Sequence, residues 1–226
     1  MFIGHFGLGL ATKKAAPKIS LGTLLMATQF LDLVWPTLLL LHIETVAIHP
    51  GLSGPRSLEF TNYPITHSLL GAIGWSVLFG SIYWIFKKNS KNGILLGLAV
   101  LSHWFLDLIV HFHDLPLYPG SSIYLGLGAW ASIWFTTLIE MALLITGIIL
   151  YLQTIIFKNM TGKIVFALLI ILLLLVQISS FWGPPPANVQ VLAWSAQFQW
   201  LFVAMAYWVD NNTVNSQVPK YVLQPQ

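Results

Sequence analysis

Three residues in the stretch Leu101-Ser-His-Trp-Phe-Leu-Asp-Leu-Ile-Val-His-Phe-His-Asp114 have the types and the spacing to do chemistry: His103, Asp107 and His111. Each follows the last by four residues. On a helix that interval keeps side chains on one face, roughly 6 Å apart along the axis. The run around them is apolar and reads as a membrane-spanning helix, so one stripe of it offers imidazole, carboxylate, imidazole. Ionisable groups at membrane depth are costly and mark function by default. The donors are nitrogen and oxygen only, because the chain has no cysteine. That mix suits zinc, manganese, iron or nickel better than copper(I). Asp107, between the two histidines, can bridge two ions. Two-metal sites hold ions about 3.5–4 Å apart and activate water between them, the chemistry of phosphoester or amide cleavage.

The elements that position this stripe follow from composition. Of 226 residues, 57% are hydrophobic and 8% charged, with mean hydropathy +0.78. A soluble domain carries roughly 25% charge, so this chain cannot cover a water-facing surface. The expected fold is all-α: a polytopic membrane helix bundle of about six transmembrane helices plus an N-terminal re-entrant or interfacial half-helix. Residues 1–210 form a single transmembrane domain, with the metal site built from 1–140 and a polar, mobile tail over 211–226. Without cysteine, neither a disulfide framework nor a thiolate site exists. The net charge of +3 sits in short loops; it is a topology signal and not a nucleic-acid footprint. Met1-Phe-Ile-Gly-His5 lacks a basic n-region, so no cleaved signal peptide is expected.

Residues 2 to 12 are apolar and glycine-rich, too short to span, and carry His5. The first long span runs from Leu21 to about His42, with Asp32 near its middle and Pro36 expected to free a carbonyl and kink the helix. Ile43 to Asn62 reads as a water-facing loop holding Glu44, His49 and Glu59, and His42 is placed in water with them. The second span, about Pro64 to Phe86, starts with Pro64 in its first turn, Thr61 or Asn62 as cap, and His67 close behind. The third runs from about Asn92 to Phe112. The fourth covers about Leu127 to Phe157 with Glu140 near its middle, the fifth Ile164 to Trp182, and the sixth about Val189 to Val209. Gly71, Gly74, Gly93 and Gly97 suit close helix contact.

Lys13, Lys14 and Lys18 precede the first span, Lys87, Lys88 and Lys91 join the second to the third, and Lys158 and Lys163 join the fourth to the fifth. With six spans, all three groups fall on one side. The positive-inside rule puts that side, and both termini, in the cytoplasm. All seven histidines and five of the seven acids lie at or before Asp114, so the first four spans build the site. Counting helical rise, Asp32 and His103 reach mid-membrane, Asp107 and His111 continue outward, and His5 reaches the same layer from below. His67 starts at the outer end, so it joins them only if its span begins below the surface. Ser68, Ser102 and Glu140 are candidate acceptors for spare ring nitrogens. His113 and Asp114 read as interfacial loop residues.

Phe2-Ile-Gly-His5, Leu21-Gly-Thr, Gln29-Phe-Leu-Asp32, Tyr63-Pro-Ile-Thr-His-Ser68, His103-Trp-Phe-Leu-Asp107 with His111, Asp114-Leu-Pro-Leu117, and Gly126-Leu-Gly followed by Glu140 resemble the bacterial inner-membrane metal-dependent hydrolase family, the YdjM-like proteins. The resemblance covers roughly residues 2 to 155 and implies a membrane-embedded hydrolase. A looser similarity is to secreted zinc phospholipases C and single-strand nucleases, in the order of His and Asp. By that analogy Asp32, His67, His103 and Asp107 would hold one ion, and His5 and Asp107 would help to hold a second. Those enzymes also use a free N-terminal tryptophan amine, where this chain begins Met1-Phe2, and a later His-x-x-x-Glu or His-x-x-x-Asp pair, which has no counterpart after His113.

The functional expectation is a membrane-embedded metal-dependent hydrolase in the bacterial cytoplasmic (inner) membrane. Metal-activated water would attack a phosphoester or acyl bond of a lipid or other small substrate from a site open to the outer face. The metal ligands are His5, Asp32, His67, His103, Asp107 and His111; Asp107 and Glu140 are the catalytic candidates. The cofactor is a divalent metal, zinc first, as one or two ions, with manganese, iron and nickel as further candidates. Partners are membrane lipids and a lipid-like substrate, with an oligomer or complex partner reached through the last two helices. Two rivals stand beside this: an ion or proton transporter using the same His/Asp cluster, and a non-enzymatic accessory subunit of a membrane complex. The dry cytoplasmic halves of the second and third spans, Val77 to Phe86 and Ile94 to Val100, weigh against a transport path.

Overall fold

A computed structural model describes residues 1–216. Helices α1 (Ile3–Ala15), α2 (Leu21–Thr28), α3 (Phe30–Leu40), α4 (Pro64–His67), α5 (Leu69–Lys87) and α6 (Ser90–Val110) form the first half. Helices α7 (Ile133–Thr154), α8 (Met160–Trp182), α9 (Val189–Gln197) and α10 (Gln199–Asn211) form the second. Among the described residues five helices are long and apolar enough to cross a membrane, or six if the bent pair α2–α3 counts as one span. The protein is an all-α, multi-pass bundle. Among the described residues strand content is confined to three short antiparallel pairs: β1 (Thr45–Ile48) with β2 (Leu58–Asn62), β3 (Leu115–Pro116) with β4 (Tyr124–Leu125), and β5 (Ile155–Phe157) with β6 (Thr213–Asn215).

Two of the expected spans are broken, and the breaks matter for the site. The first bends by 59° between α2 and α3, at Gln29 and not at Pro36. α3 runs on through Pro36. Proline still frees the carbonyl four residues back: the Asp32 carbonyl accepts from Gln199 Nε2 at 3.5 Å. The second span is split at Ser68. Pro64 opens the one-turn α4 as expected, with Tyr63 at the cap position in place of Thr61 or Asn62. Ser68 then caps α5, its Oγ accepting from the Gly71 amide at 2.9 Å.

The N-terminal segment is a buried helix. α1 crosses α7 so closely that a Cβ on Gly147 would lie 2.0 Å from the Gly7 carbonyl oxygen; glycine is required there because backbone meets backbone. A second close approach joins α5 to α6, where Ser76 Oγ donates to the Gly97 carbonyl at 2.6 Å and Gly80 faces Gly93. Gly71 packs on α4, whereas a Cβ added to Gly74 would meet nothing within 4 Å.

One apolar core lies between α2–α3, α5 and α6, with Leu31, Leu96, Val100 and Trp104 at its centre; another joins α1, α7, α8 and α10 around Phe6, Leu144 and Leu169. The site lies where the two meet. At one end of the bundle Lys13 pairs with Asp210 at 2.7 Å and Lys158 Nζ donates to the Asn211 carbonyl at 2.9 Å. Thus the ends of α1 and α10 and the α7–α8 turn share one side. Asn211 ends α10, and Thr213–Asn215 pairs with β5; residues 217–226 lie outside the described residues.

Candidate metal centre

Three short or broken helices and the long, unbroken α6 aim side chains at one buried point. α1 delivers His5, α3 delivers Asp32, α4 delivers His67, and α6 delivers His103 and Asp107. The side chains of His5, His67, His103 and Asp107 are 0–3% exposed, while Asp32 is 21% exposed and marks the open side. Asp32 Oδ1 lies 3.4 Å from His67 Nε2 and 3.6 Å from His103 Nε2. Asp107 Oδ2 lies 3.7 Å and 3.1 Å from the same two nitrogens. Donor atoms sharing one tetrahedral ion at about 2.0–2.1 Å stand roughly 3.4 Å apart, so this spacing fits. Asp107 presents its other oxygen, Oδ1, to His5 Nε2 at 3.1 Å and to the Met1 backbone nitrogen at 2.5 Å. Two compact ligand sets result, Asp32–His67–His103 and His5–His103–Asp107.

Hydrogen bonds fix the imidazoles. His103 Nδ1 lies 2.8 Å from the Thr28 carbonyl oxygen. A carbonyl only accepts, so Nδ1 carries a proton, and in the neutral ring Nε2 is the lone pair. That carbonyl is available because the helix breaks directly after Thr28. His103 Nε2 is buried without a hydrogen-bond partner and faces two carboxylates. A lone pair against two anions, out of water, calls for a cation between them. His5 stacks on His103 with ring centroids 3.7 Å apart and planes within 6°. Two imidazolium ions so placed would repel, which favours neutral ligands.

His67 is also held. Its Nδ1 is 2.7 Å from Thr66 Oγ1, and its carbonyl accepts from Trp104 Nε1 at 3.0 Å. The acceptors expected for the ring nitrogens, Ser68, Ser102 and Glu140, serve elsewhere. Ser68 caps α5, Ser102 donates to the Ala99 carbonyl at 2.6 Å, and Glu140 Oε2 accepts from the amides of Phe2 and Gly4 at 2.8 and 3.2 Å. Glu140 thus sits on the backbone at the start of α1 and not on the His/Asp cluster.

The structure brings five of the six expected metal ligands together. His111 falls outside both sets. α6 ends at Val110, and the His111 ring turns to Asp114, its Nδ1 donating to Oδ1 at 3.0 Å, while Trp130 packs on it with centroids 4.1 Å apart. The i, i+4 register that put it in line with Asp107 stops one residue too soon. Conversely Glu44, expected in water, is 1% exposed and bound to α4. No spacing signal marked it; the turn after α3 throws it inward. His49 and Glu59 do face water, paired at 2.8 Å across the β1–β2 hairpin.

With the geometry in place, comparison with known families is decisive on kinship. The profile of the YdjM inner membrane protein family matches residues 1–184. The chain belongs to that family. The match contains every residue of the cluster and ends just after α8, leaving α9 and α10 outside it. Family membership and the apolar helices together make this an inner-membrane, multi-pass protein. No match was found among curated proteins or solved structures.

Proposed function

We propose that this family member is a metal-dependent hydrolase acting within the membrane on a phosphoester or acyl bond of a lipid or other small substrate. The observation that carries this is His103 Nε2: buried, without a hydrogen-bond partner, turned away from Thr28, which takes the Nδ1 proton, and facing Asp32 and Asp107. Five N/O donors from four elements offer more ligand atoms than one proton can use, which favours a metal ion. Zinc is the first candidate, as one or two ions, with manganese, iron and nickel as alternatives on ligand chemistry. When bound, such an ion polarises a scissile group and lowers the pKa of water.

The protein's own groups do the rest. His67 and His103 present nitrogens already oriented, and Asp107 turns Oδ2 to those two rings and Oδ1 to His5. Burial excludes bulk water and strengthens each charge interaction at the site. Asp32, the most exposed member, lies where a substrate arrives. The lysine clusters support a topology with both termini in the cytoplasm and the cluster towards the outer half of the bilayer, where a lipid could enter laterally and α9–α10 could meet a partner.

Elemental analysis of purified wild type beside Asp107→Asn tests the reading. Wild type is expected to hold one or two zinc-class ions per chain and to hydrolyse members of a phosphoester and acyl-lipid panel in detergent micelles. Asp107→Asn is expected to lose most of both. Wild type without divalent metal ends the proposal, and full metal content in Asp107→Asn ends the bridging role.

A further inference from the structure

Glu44 lies in the turn after α3, two residues past His42, whose φ of +56° turns the chain. Its carboxylate is buried and satisfied by α4. Oε1 accepts from the amides of Ile65 and Thr66 at 2.7 and 2.9 Å, and Oε2 accepts from the Thr66 hydroxyl at 2.6 Å. The same hydroxyl oxygen lies 2.7 Å from His67 Nδ1. A hydroxyl has one proton. Thr66 gives it to the carboxylate, so its oxygen must accept from His67, and Nδ1 carries the hydrogen. In the neutral ring His67 Nε2 is then the lone pair, and it faces Asp32 and Asp107.

From this geometry we infer that Glu44 and Thr66 are positioning residues: a carboxylate–hydroxyl relay that fixes the tautomer of His67 and turns its Nε2 to the metal centre. The inference deepens the hydrolase proposal and rests on it for the metal. The relay itself is a property of the metal-free protein. Metal-ligating histidines characteristically donate their second ring nitrogen to an oriented acceptor, and loss of that acceptor lowers metal affinity about 10- to 100-fold. Here the acceptor is a hydroxyl whose direction is set by the carboxylate behind it. That makes the direction reversible by one atom. In Glu44→Gln the carbonyl oxygen can keep the two backbone amides, which leaves the NH2 facing Thr66 Oγ1. The hydroxyl must then donate to His67 Nδ1, and the ring proton moves to Nε2.

The test uses the full-length protein in detergent with 15N-labelled histidine, His67 being assigned by its loss in His67→Gln. Ring nitrogen shifts are read without metal, and zinc affinity is read by equilibrium dialysis. In wild type and Thr66→Ser, His67 is expected to carry its proton on Nδ1, with zinc affinities within about threefold of each other. In Glu44→Gln the proton is expected on Nε2. In Thr66→Val, which keeps the backbone amides that Glu44 holds but has no hydroxyl, the fixed tautomer is lost. Both variants should bind zinc about 10- to 100-fold more weakly. A clamp that merely holds α4 would leave the tautomer unchanged in Glu44→Gln and Thr66→Val, and that result overturns the relay. Should Glu44→Gln fail to fold, the Thr66 pair decides by the same criterion. Wild type that binds no zinc while its His67 proton still sits on Nδ1 removes the metal reading and leaves the relay standing.

Discussion

α6 and α8 are long, apolar and free of proline, yet they treat buried polar side chains in opposite ways. α6 buries His103 and Asp107, one turn apart, and each meets groups from several other elements. α8 buries Gln177 against Glu140 of α7, and the Gln177 amide makes no hydrogen bond of good geometry among the described residues. The difference lies in the neighbours. α6 faces a helix that breaks after Thr28, a one-turn stub ending at His67, and a helix that begins only at Ile3. Those interruptions bring backbone carbonyls and short-range side chains to membrane depth. An unbroken helix consumes its own carbonyls, and non-helical backbone is tolerated inside a bundle only where protein surrounds it. α8 packs chiefly on α10, with α1 beside it, and neither turns a backbone carbonyl to Gln177. A polar site in lipid forms where helices stop, and α6 is the intact rod against which the stopped ones are aligned.

The largest expected effect breaks the α6 side of this contrast. His103 is common to both ligand sets, so His103→Ala should remove nearly all bound metal and all hydrolysis. His5 belongs to one set, so His5→Ala should keep the ion held by Asp32 and His67 and lose the other. His111→Ala should retain the wild-type metal content, because its ring is turned to Asp114. Elemental analysis of the three proteins reads the series directly. Loss of metal in His111→Ala would restore His111 as a ligand and show that the α6 stripe continues past Val110.

A smaller effect is expected at the hinge between the two regions. Glu140 is on α7, yet its work is on α1, where it accepts from the Phe2 and Gly4 amides. Removing the acceptor leaves buried donors unpaired, at a cost of about 1–3 kcal/mol each. Glu140→Ala should therefore lower thermal stability and, by loosening α1, also lower the occupancy of the His5 set. Glu140→Gln keeps an acceptor oxygen and should retain most stability and metal. If Glu140→Gln instead keeps its metal and loses hydrolysis, Glu140 takes part in the chemistry and its contact with α1 is secondary.

The sequence reveals the bundle and most of the cluster for identifiable reasons. Apolar runs separated by lysines mark the helices, and the interval of four between His103 and Asp107 marks the active face. Asp32 and His5 were legible because ionisable residues inside apolar runs are rare enough to stand out. What was not legible depends on where helices stop. Pro36 drew the expected kink, although the bend occurs at Gln29, a residue with no breaking tendency of its own. His111 looked continuous with Asp107, since no glycine or proline announces the end of α6. Glu44 looked like a water-facing loop acid. Its burial depends on a left-handed turn at His42 and on the free amides of α4, neither visible in residue types alone.

The smallest effect tests the α8 side. Gln177→Leu replaces an amide without a well-formed hydrogen bond by an apolar group of similar size. A buried polar group with no partner costs roughly 1–3 kcal/mol, and its removal offsets whatever Gln177 contributes beside Glu140. The two terms are comparable, so the melting temperature should change by less than the equivalent of about 1 kcal/mol, with metal content unaltered. The matching change on α6, Asp107→Leu, removes a group that several others require and should abolish metal binding. A loss of metal or a large drop in stability in Gln177→Leu would mean that polar order extends from Glu140 into α8. The site would then reach across both halves of the bundle, and the division drawn between α6 and α8 would fail.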